Sequence, residues 1–423
     1  MSRLPRLSAL GGSAENGRNC YLLETPSGSI LLDCGVKRIV TPDHVGEYPL
    51  LNREIVAGIQ AVFLSHAHED HCAALPLLYA LGYEGLVYGS PETIASAGQM
   101  IEKWMTFVRK QGGTLPYSSA DASKVRYAAL ALGSSTLGGL RAMTGRSGHT
   151  VGSMWIALGW KEEGFQLFYS GDMCTCAASL AYDAPPECDA AVLNCAYAGQ
   201  ILNQDEQYDT LITFAKDAAC SGSCLLLPVP PTGRGCDMLL RLIRHTGDDA
   251  QVFAAKSIIT NTGKMMKNRK WLRDSLPEET ILRRVRPLET HEDYKNACSC
   301  PGSILLVTDG MLTTEEGQLC LRLLSDSAQN RVLISGHAAP GTLGGNLLDA
   351  AWRSDNAIAM QVGKLIIKVH LDDRDASAMQ KHLHARKTVF FHSPAENCES
   401  TSALYAQLGA EGICLEPGTS LPL

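Results

Sequence analysis

The sequence predicts an α/β protein in which an αββα sandwich, built from two separated segments, carries a second α/β domain inserted between them. Three observations predict this organisation. Short apolar segments in residues 1–202 repeatedly stop at a histidine or an aspartate, as buried strands do when their ends supply a site. From about residue 203, apolar strands alternate with helical segments, which is typical of a mostly parallel sheet covered by helices. Near residue 365 the chain returns to a strand, a helix and a strand.

The composition is that of a globular protein and limits its class. The 423 residues include 45% hydrophobic and 19% charged residues, and the formal net charge is -7. This balance excludes a wholly basic nucleic-acid coat, and no apolar stretch reaches the roughly 18 residues of a membrane span. The 15 cysteines are scattered and do not form a disulfide framework. Because free thiols persist in a reducing compartment, we expect a cytoplasmic protein without a signal peptide.

The first segment, residues 1–202, begins with strands and then a long helix. Ser90 caps this helix, Pro91 opens it, and it continues to about Val108, because serine is a preferred N-cap and proline suits the first turn. Two of the strands flank a Thr-Pro-Ser-Gly turn and form a hairpin. The predicted strands of this part are residues 7–12, 19–24, 29–35 and 61–66.

Two further segments complete the predicted organisation. Residues 203–364 are the inserted domain, and residues 365–423 return to the sandwich. In the final segment, strands at 365–369 and 388–392 flank a helix at 376–383. The insert is predicted to contain a helix at 206–219 and strands at 223–228, 251–254, 303–308 and 331–335.

The strongest chemical signal follows the strand at 61–66. The sequence HAHEDH at 66–71 places three histidines and one aspartate in six positions after an apolar run. Imidazole nitrogen and carboxylate oxygen are ligands that suit zinc-like divalent ions. If the strand persists, His66 and His68 point the same way, and a turn brings Asp70 and His71 to a neighbouring point. Two adjacent metals are therefore plausible.

Three other ligand-type residues lie at or beside the ends of apolar strands. His149 lies in GHTVGS at 148–153, where small neighbours let the backbone approach a metal. Asp172 ends the apolar strand at 165–172, and His392 ends the strand at 388–392. Each alone is more often a core histidine or a capping aspartate. Together with the HAHEDH cluster they indicate one shared metal centre.

These motifs resemble the metallo-β-lactamase superfamily. The resemblance includes GGSAENGRNC at 11–20, LLDCG at 31–35, HAHEDH, GHTVGS and YSGD at 169–172. Later segments resemble the β-CASP branch of RNA-processing nucleases, which is related to the cleavage and polyadenylation endonuclease. Those segments are LPVPPTGRG at 227–235, DGML at 309–312 and SGHAAPGTLG at 335–344.

The resemblance implies a four-layer metallo-β-lactamase sandwich with an inserted β-CASP domain and two zinc ions, with manganese as the alternative. One ion would be held by His66, His68 and His149. The other would be held by Asp70, His71 and His392, with Asp172 bridging both. Asp70 and Asp172 would also be catalytic residues. A hydroxide shared by the metals would then cleave an RNA phosphodiester bond, since two cations lower the pKa of water and offset charge on the phosphoryl group.

His370 matches a catalytic histidine of the family, but Asn194 replaces the acidic residue that the family carries as its partner. His370, in VHLD at 369–372, matches a family histidine that assists the leaving oxygen or grips the scissile phosphate. In the segment 191–199 the family carries an acidic residue, and here Asn194 stands in its place. An amide can orient an imidazole but cannot stabilise its cationic form by charge. We therefore expect His370 to hold its proton more weakly than in the usual arrangement.

Substrate contacts are predicted from phosphate chemistry. Gly341 and Thr342 precede a predicted helix start, where backbone amides bind anions. Arg234 offers a charged donor, and Ser393 directly follows His392. A basic surface is predicted in the insert, although a solvated helix face explains it equally well. Its residues are Lys256, Lys264, Lys267, Arg269, Lys270 and Arg273, with Arg283, Arg284 and Arg286 nearby.

Three functions remain open at this level. The first is a zinc-dependent ribonuclease acting on single-stranded RNA, with either endo- or exonuclease action. The second is a hydrolase of a small ester, but this function does not explain the presence of residues 203–364. The third is a metal-binding RNA-binding or scaffold subunit with little activity, which Asn194 favours. The sequence also leaves a homodimer open, and it predicts no membrane partner.

Overall fold

The computed structural model describes residues 5–160, 164–247, 250–273, 279–336 and 338–423. His337, in the SGHAAPGTLG motif, lies outside the described residues. Within these ranges, no helix combines the length and the apolar character needed to cross a membrane.

Strands make up much of the described chain and are numbered here in chain order. They are β1 Arg6–Gly11, β2 Cys20–Thr25, β3 Gly28–Leu32, β4 Lys37–Val40, β5 Val45–Glu47, β6 Ile59–Phe63, β7 Val87–Gly89, β8 Tyr127–Ala129, β9 Gly133–Leu137, β10 Leu140–Arg146, β11 Met154–Trp160, β12 Phe165–Tyr169, β13 Ala190–Asn194, β14 Leu225–Pro228, β15 Gln251–Ala255, β16 Arg286–Leu288, β17 Ser303–Val307, β18 Arg331–Ile334, β19 Gln361–Lys364, β20 Lys387–Phe391, β21 Glu411–Cys414 and β22 Ser420–Pro422.

The helices are numbered in the same way. They are α1 Arg53–Ala57, α2 Glu69–Cys72, α3 Leu75–Ala80, α4 Pro91–Lys110, α5 Ser119–Ser123, α6 Gln204–Ser221, α7 Arg234–His245, α8 Lys256–Lys267, α9 His291–Ser299, α10 Glu315–Leu324, α11 Leu343–Asn346, α12 Ala350–Asp355, α13 Asp373–Leu383 and α14 Ala395–Gln407, with short 3-10 turns at Arg269–Trp271 and Glu279–Arg284.

The described residues divide into two compact units. The first unit comprises Met1–Thr175, Ala181–Ile201 and His370–Leu423, and the second comprises Cys176–Leu180 and Leu202–Val369. The first unit contains two seven-stranded sheets. Their strand orders are β22-β1-β2-β3-β6-β7-β8 and β21-β20-β13-β12-β11-β10-β9.

The two sheets of the first unit face each other and carry helices on their outer sides. At their inner faces, the ring of Tyr21 on β2 lies 5.9 Å from that of Tyr169 on β12 and 5.6 Å from that of Phe391 on β20. On one outer side, Trp104 of α4 belongs to the same buried cluster as strands β3 and β6. On the other, α13 and α14 pack on Phe390. The predicted αββα sandwich is confirmed.

The local signals of the first unit also produced the expected elements. Strands β2 and β3 pair antiparallel, so the predicted hairpin is confirmed. Helix α4 begins at Pro91, and the Ser90 hydroxyl accepts a hydrogen bond from the backbone amide of Thr93. This bond satisfies one of the amides that the first turn of a helix leaves without a partner.

The second unit is built on a six-stranded sheet in which every neighbouring pair is parallel, in the order β16-β15-β17-β14-β18-β19. The central strands β14 and β17 are buried along their whole length. Parallel sheets need such continuous apolar strands because helices cover both faces. The strands and helices alternate in the sequence from residue 203 because helices connect the parallel strands and cover both faces of the sheet.

One predicted strand is wrong. Residues 365–369 form no strand, and the strand of this region, β19, lies four residues earlier at Gln361–Lys364. The backbone amides of Ile366 and Lys368 instead donate to the side-chain carbonyls of Gln207 and Gln204, at 2.9 and 2.8 Å. An apolar run alone could not reveal that glutamines of α6 satisfy these amides in place of a neighbouring strand.

A buried carboxyl in the second unit leads to a pH-dependent stability. Asp237 on α7 is 6% exposed. Burial raises the pKa of its carboxyl from 3.8 to about 6, although the Ser179 hydroxyl and the amides of Ala178 and Ser179 lower it. A folded-state pKa above the unfolded value contributes stability below pH ~4 that is lost as the pH rises through ~6.

We expect Asp237→Asn to remove this dependence. The unfolding free energy of the wild type relative to the variant should fall by about 3 kcal/mol between pH ~4 and ~7, since one pKa unit corresponds to about 1.4 kcal/mol. Urea unfolding across this range measures it. Asp217→Asn, at an exposed position of α6, is the matched control. A difference between wild type and Asp237→Asn that does not change with pH would contradict the prediction.

Candidate metal centre

Parallel strands bring the ligand-type residues to common sheet edges in the first unit. Strands β3 and β6 are parallel neighbours, and Asp33 and His66 follow their carboxyl ends. Strands β12, β13 and β20 are also parallel neighbours. Asp172 follows β12, Asn194 ends β13, and His392 follows β20. Because the carboxyl ends of parallel strands lie side by side, residues more than 200 positions apart become neighbours.

Two groups of side chains can each hold a metal ion, and all donor atoms within a group lie within 4.8 Å of one another. Both groups contain Asp172. The first group is His66, His68, His149 and Asp172, and the second is Asp70, His71, Asp172 and His392.

The carboxylate of Asp172 divides its two oxygens between the groups. Its Oδ2 lies 3.5 Å from His66 Nε2 and 3.4 Å from His149 Nε2, whereas its Oδ1 lies 3.3 Å from His71 Nε2. Asp172 is only 1% exposed. Oδ2 also lies 3.9 Å from His392 Nε2 of the second group. A carboxylate whose oxygens face two donor sets is suited to bridge them.

The remaining donors of each group approach one another closely. In the first group, His68 Nδ1 lies 3.2 Å from His149 Nε2. In the second, Asp70 Oδ2 lies 3.2 Å from His392 Nε2 and 3.5 Å from His71 Nε2. Asp70, His68 and His392 are partly exposed, whereas His66 and His71 are buried. The centre is therefore open on one side.

Asp33 holds His71 in place, although the sequence analysis gave it no role. Its Oδ2 accepts from His71 Nδ1 at 2.6 Å, from the Tyr169 hydroxyl at 2.5 Å and from the Ser65 hydroxyl at 2.6 Å. Its Oδ1 accepts from the Ser65 amide. Because Nδ1 of His71 donates to this carboxylate, the lone pair of Nε2 points to the centre. Such outer carboxylates set the tautomer and orientation of ligand histidines.

Asn19 is a second residue that the sequence analysis left without a role. Its Nδ2 lies 3.0 Å from His71 Nε2 and 3.3 Å from Asp70 Oδ2. Its side chain therefore contacts two residues of the second group. A usable signal existed for Asp33, because it follows an apolar strand as Asp172 does. We find no comparable local signal for Asn19 beyond its place in GGSAENGRNC.

The pKa shifts of the aspartates and histidines indicate that the centre requires positive charge. Burial alone would raise the pKa of the Asp172 carboxyl, but the imidazoles of His71 and His392 hold it well below its usual range. Burial alone would lower the pKa of His71, yet the carboxylates of Asp172, Asp70 and Asp33 hold it well above its usual range. The buried carboxylates thus require positive charge beside them, which a proton on His71 or a divalent cation supplies.

Two of these residues adopt left-handed backbone conformations. Asp33 has a φ of 57° and His392 a φ of 64°. Residues other than glycine populate this region at a cost of about 1–3 kcal/mol each, and such residues concentrate at functional sites. The strain is located at the turn after β3 and at the turn after β20, where the chain must aim a side chain into the centre.

His370 and Asn194 lie beside the two groups without belonging to either. The ring of His370 lies 4.9 Å from that of His149 and 4.8 Å from that of His392. Asn194 is buried; its Nδ2 donates to Asp172 Oδ1 at 3.0 Å and lies 3.3 Å from His370 Nδ1. The Leu371 amide donates to Asn194 Oδ1. These contacts orient the amide, so its N–H group faces Nδ1 of His370 and favours the tautomer that carries its proton on Nε2.

The predicted substrate contacts are distributed over both units. In the first unit, Ser393 is fully buried. In the second, the Arg234 guanidinium packs against Gly336, leaving no room there for a Cβ atom. Thr342 caps α11, accepting from the Gly345 amide and donating to the Ala339 carbonyl, and the neighbouring Gly341 is exposed. Their role in substrate binding stays a prediction.

Comparison with known proteins identifies the domain that carries most of these residues. Residues 29–208 match the family described as a β-lactamase superfamily domain. The matched range contains every residue of the two groups except His392. The resemblance to the metallo-β-lactamase superfamily is confirmed for this part of the chain. Such a domain together with the His and Asp cluster implies a divalent-metal site.

Curated relatives of this superfamily extend over most of the chain. "Transcription termination factor FttA" of Lokiarchaeum sp. is 25% identical over 388 residues, which cover 86% of this chain and 61% of that protein. "Probable RNase MJ4" of Methanocaldococcus jannaschii is 25% identical over 352 residues, covering 80% of each chain. The chain thus spans about three fifths of the termination factors that it matches. The resemblance to β-CASP nucleases is confirmed by these relatives.

A solved structure supports the fold alone. The crystal structure of a protein of unknown function from Enterococcus faecalis V583 has a TM-score of 0.61 and covers 99% of this chain, at 12% sequence identity.

Proposed function

We propose that the protein is a zinc-dependent ribonuclease that hydrolyses RNA phosphodiester bonds. The observation that carries the proposal is the pair of donor groups that share Asp172. Two adjacent donor sets joined by one carboxylate are the arrangement used by hydrolases that act on phosphoesters with two metal ions.

The residues present fit a pair of divalent cations. The groups combine imidazole nitrogens with carboxylate oxygens, which is the donor chemistry of catalytic zinc. Nε2 of His66 is buried without a hydrogen-bond partner among the described residues, as a metal-ligating nitrogen would be. Two such cations supply a water-derived nucleophile near neutral pH and offset charge on the phosphoryl group.

The chain's own residues set up this chemistry. Asp33 keeps His71 in the tautomer whose Nε2 can bind a cation. Asn194 holds Asp172 by a hydrogen bond to Oδ1. In this proposal His370, which is partly exposed and lies beside both groups, contacts the substrate phosphate or its leaving oxygen.

RNA as substrate is supported by the relatives and by the second unit. Two of the relatives are named as an RNase and an RNase J-like protein, and a small-ester hydrolase would not account for a second unit of more than 150 residues. We further propose a reducing, cytoplasmic location, because none of the 15 cysteines, all of them among the described residues, forms a disulfide.

Cleavage of labelled oligonucleotides tests the proposal. Zinc-loaded and manganese-loaded protein is incubated with single-stranded RNA, single-stranded DNA and a generic ester. We expect RNA cleavage that a chelator abolishes. Cleavage of the ester alone would favour the small-molecule hydrolase. No cleavage of any substrate at high protein concentration, with metal content intact, would contradict the ribonuclease function.

The hydrogen bonding of Asn194 favours a second candidate function, a metal-binding RNA-binding or scaffold subunit with weak catalysis. Its N–H group faces Nδ1 of His370 at 3.3 Å and stabilises the neutral imidazole. A neutral imidazole holds its remaining proton far more tightly than an imidazolium, so it is a poor general acid. In this candidate the metals organise the site, and turnover is slow.

Replacing Asn194 by aspartate separates the two candidates. A carboxylate at this position accepts from Nδ1–H and stabilises the imidazolium of His370, so we expect kcat for RNA cleavage to rise by about 10-fold or more. Steady-state cleavage with equal metal content measures the change. Asn194→Ala, which removes the amide without adding charge, should not show the increase. An unchanged or lower rate in Asn194→Asp would show that the missing carboxylate does not limit catalysis.

A further inference from the structure

We propose that a basic groove along α8 in the second unit binds a single strand of RNA. The groove is lined by the cations Lys264, Lys267 and Arg283 and by the apolar side chains Ile259 and Leu282. None of the predicted metal ligands belongs to it. The choice of RNA as the ligand rests on the proposed ribonuclease function.

The charge of this region differs from that of the whole chain. The protein has 37 Lys and Arg residues against 44 Asp and Glu residues. Residues 256–273 and 281–286 nevertheless contain nine Lys or Arg residues and no Asp or Glu. With the three acidic residues of 274–280 counted, residues 256–286 still have a net charge of +6. Solvated helix faces normally mix charges of both signs, so this segregation indicates an anionic partner.

Some of these cations support the fold and are therefore not assigned to the ligand. The Arg284 guanidinium donates to the backbone carbonyls of Ile243, Thr246 and Gly247. Arg286 stacks over the ring of Phe253 at 5.5 Å. Lys256 pairs with Glu289 at 2.7 Å. The cations assigned to the ligand are those whose side chains line the groove, Lys264, Lys267 and Arg283.

The local structure of α8 explains how the groove forms. One side of the helix is buried through Ile258, Met265 and Met266. Lys264 and Lys267, three residues apart, lie on the other side and are exposed, since residues at this spacing share a helix face. Arg283, also exposed, joins them from the 3-10 turn Glu279–Arg284.

The dimensions and chemistry of the groove suit nucleotides. Its volume is about 670 Å³, within the range of about 300–1,000 Å³ that holds ligands of nucleotide size. Cations at the rim match backbone phosphates, and the half-buried Ile259 and Leu282 offer an apolar surface to bases. Sequence-independent binding of single strands combines such a charged track with contacts to base faces. An acidic protein segment would match the cations but would leave the apolar floor unused.

RNA binding by the metal-loaded protein of 423 residues tests the groove. A fluorescent phosphorothioate RNA that resists cleavage is titrated at several salt concentrations, and anisotropy is measured. We expect the triple variant Lys264→Ala, Lys267→Ala, Arg283→Ala to bind at least about 10-fold more weakly at low salt. The slope of log affinity against log salt should become shallower by about 2, since each phosphate contact on a single strand contributes about 0.7.

Matched variants make the result decisive. The control triple variant Lys216→Ala, Arg244→Ala, Lys295→Ala removes the same charge from exposed positions of the same unit and should retain wild-type affinity. Charge reversal at Lys264 and Lys267 alone should weaken binding further than their neutral replacement. Unchanged affinity in the groove variant, or an equal loss in both triple variants, would overturn the proposal. So would an equal loss of affinity for poly-glutamate and RNA, because the groove would then be a general anion surface.

The two proposals fail in different ways. If wild-type protein cleaves no RNA but the groove variant still loses RNA affinity, the ribonuclease function is wrong and the groove stands. If wild-type protein cleaves RNA and the groove variant binds it normally, the groove is wrong and the ribonuclease function stands.

Discussion

Replacing Asp172 by alanine is expected to remove at least one divalent cation per chain and to lower RNA cleavage by at least about 100-fold. Its two oxygens face the two donor groups at 3.3–3.5 Å, so its loss takes a ligand from both. It also removes one of the carboxylates that offset the positive charge of His71 and His392. Changes around a metal site that do not touch the metal already cost about 10–100-fold.

Metal content by mass spectrometry, measured together with cleavage, checks this prediction. Glu69→Ala is the matched control, because Glu69 lies between His68 and Asp70 but belongs to neither donor group. Its carboxylate pairs instead with Arg38 at 2.6 Å. The control should keep its metal. Unchanged metal content in Asp172→Ala would exclude the bridging role.

Replacing Gly35 by alanine is expected to disrupt the same centre, because the added Cβ atom would overlap the backbone of Asp70 and His71. A Cβ atom at Gly35 would lie 1.7 Å from the carbonyl oxygen of Asp70 and 2.4 Å from the amide nitrogen of His71. Neighbouring backbone bonds hold this arrangement, since the Cys34 amide donates to the His71 carbonyl at 2.8 Å. The overlap can be relieved only if the segment that carries Asp70 and His71 moves. We expect a loss of stability of about 3 kcal/mol or more and reduced metal content.

Thermal unfolding and metal analysis measure both effects. Gly98→Ala is the control, because Gly98 is exposed in α4 and no atom lies within 4 Å of its added Cβ. This change should stabilise the protein by about 0.5–1 kcal/mol, since alanine is the better helix former. Opposite signs for the two substitutions are the expected result. A stable, fully metallated Gly35→Ala variant would show that the turn after β3 does not position the ligands.

Local signals made much of the fold predictable. Apolar strands, the Ser90 cap with Pro91, and the turn between β2 and β3 are properties of neighbouring residues, and they formed the expected elements. Residues 365–369 show the limit of such signals. Their apolar character predicted a strand, but side chains of α6, more than 150 positions away, bond their amides.

The residue types of the metal centre can be recognised without a structure, because histidines and aspartates end apolar strands. How these residues meet depends on the pairing of the strands. The parallel pairing of β12, β13 and β20 places Asp172, Asn194 and His392 side by side, and that of β3 with β6 places Asp33 next to Ser65 and His71. Its position after an apolar strand could mark Asp33 as a candidate site residue. Because strand pairing joins residues distant in the chain, no local pattern could show that Asp33 orients His71 or that Asn194 bonds both Asp172 and His370.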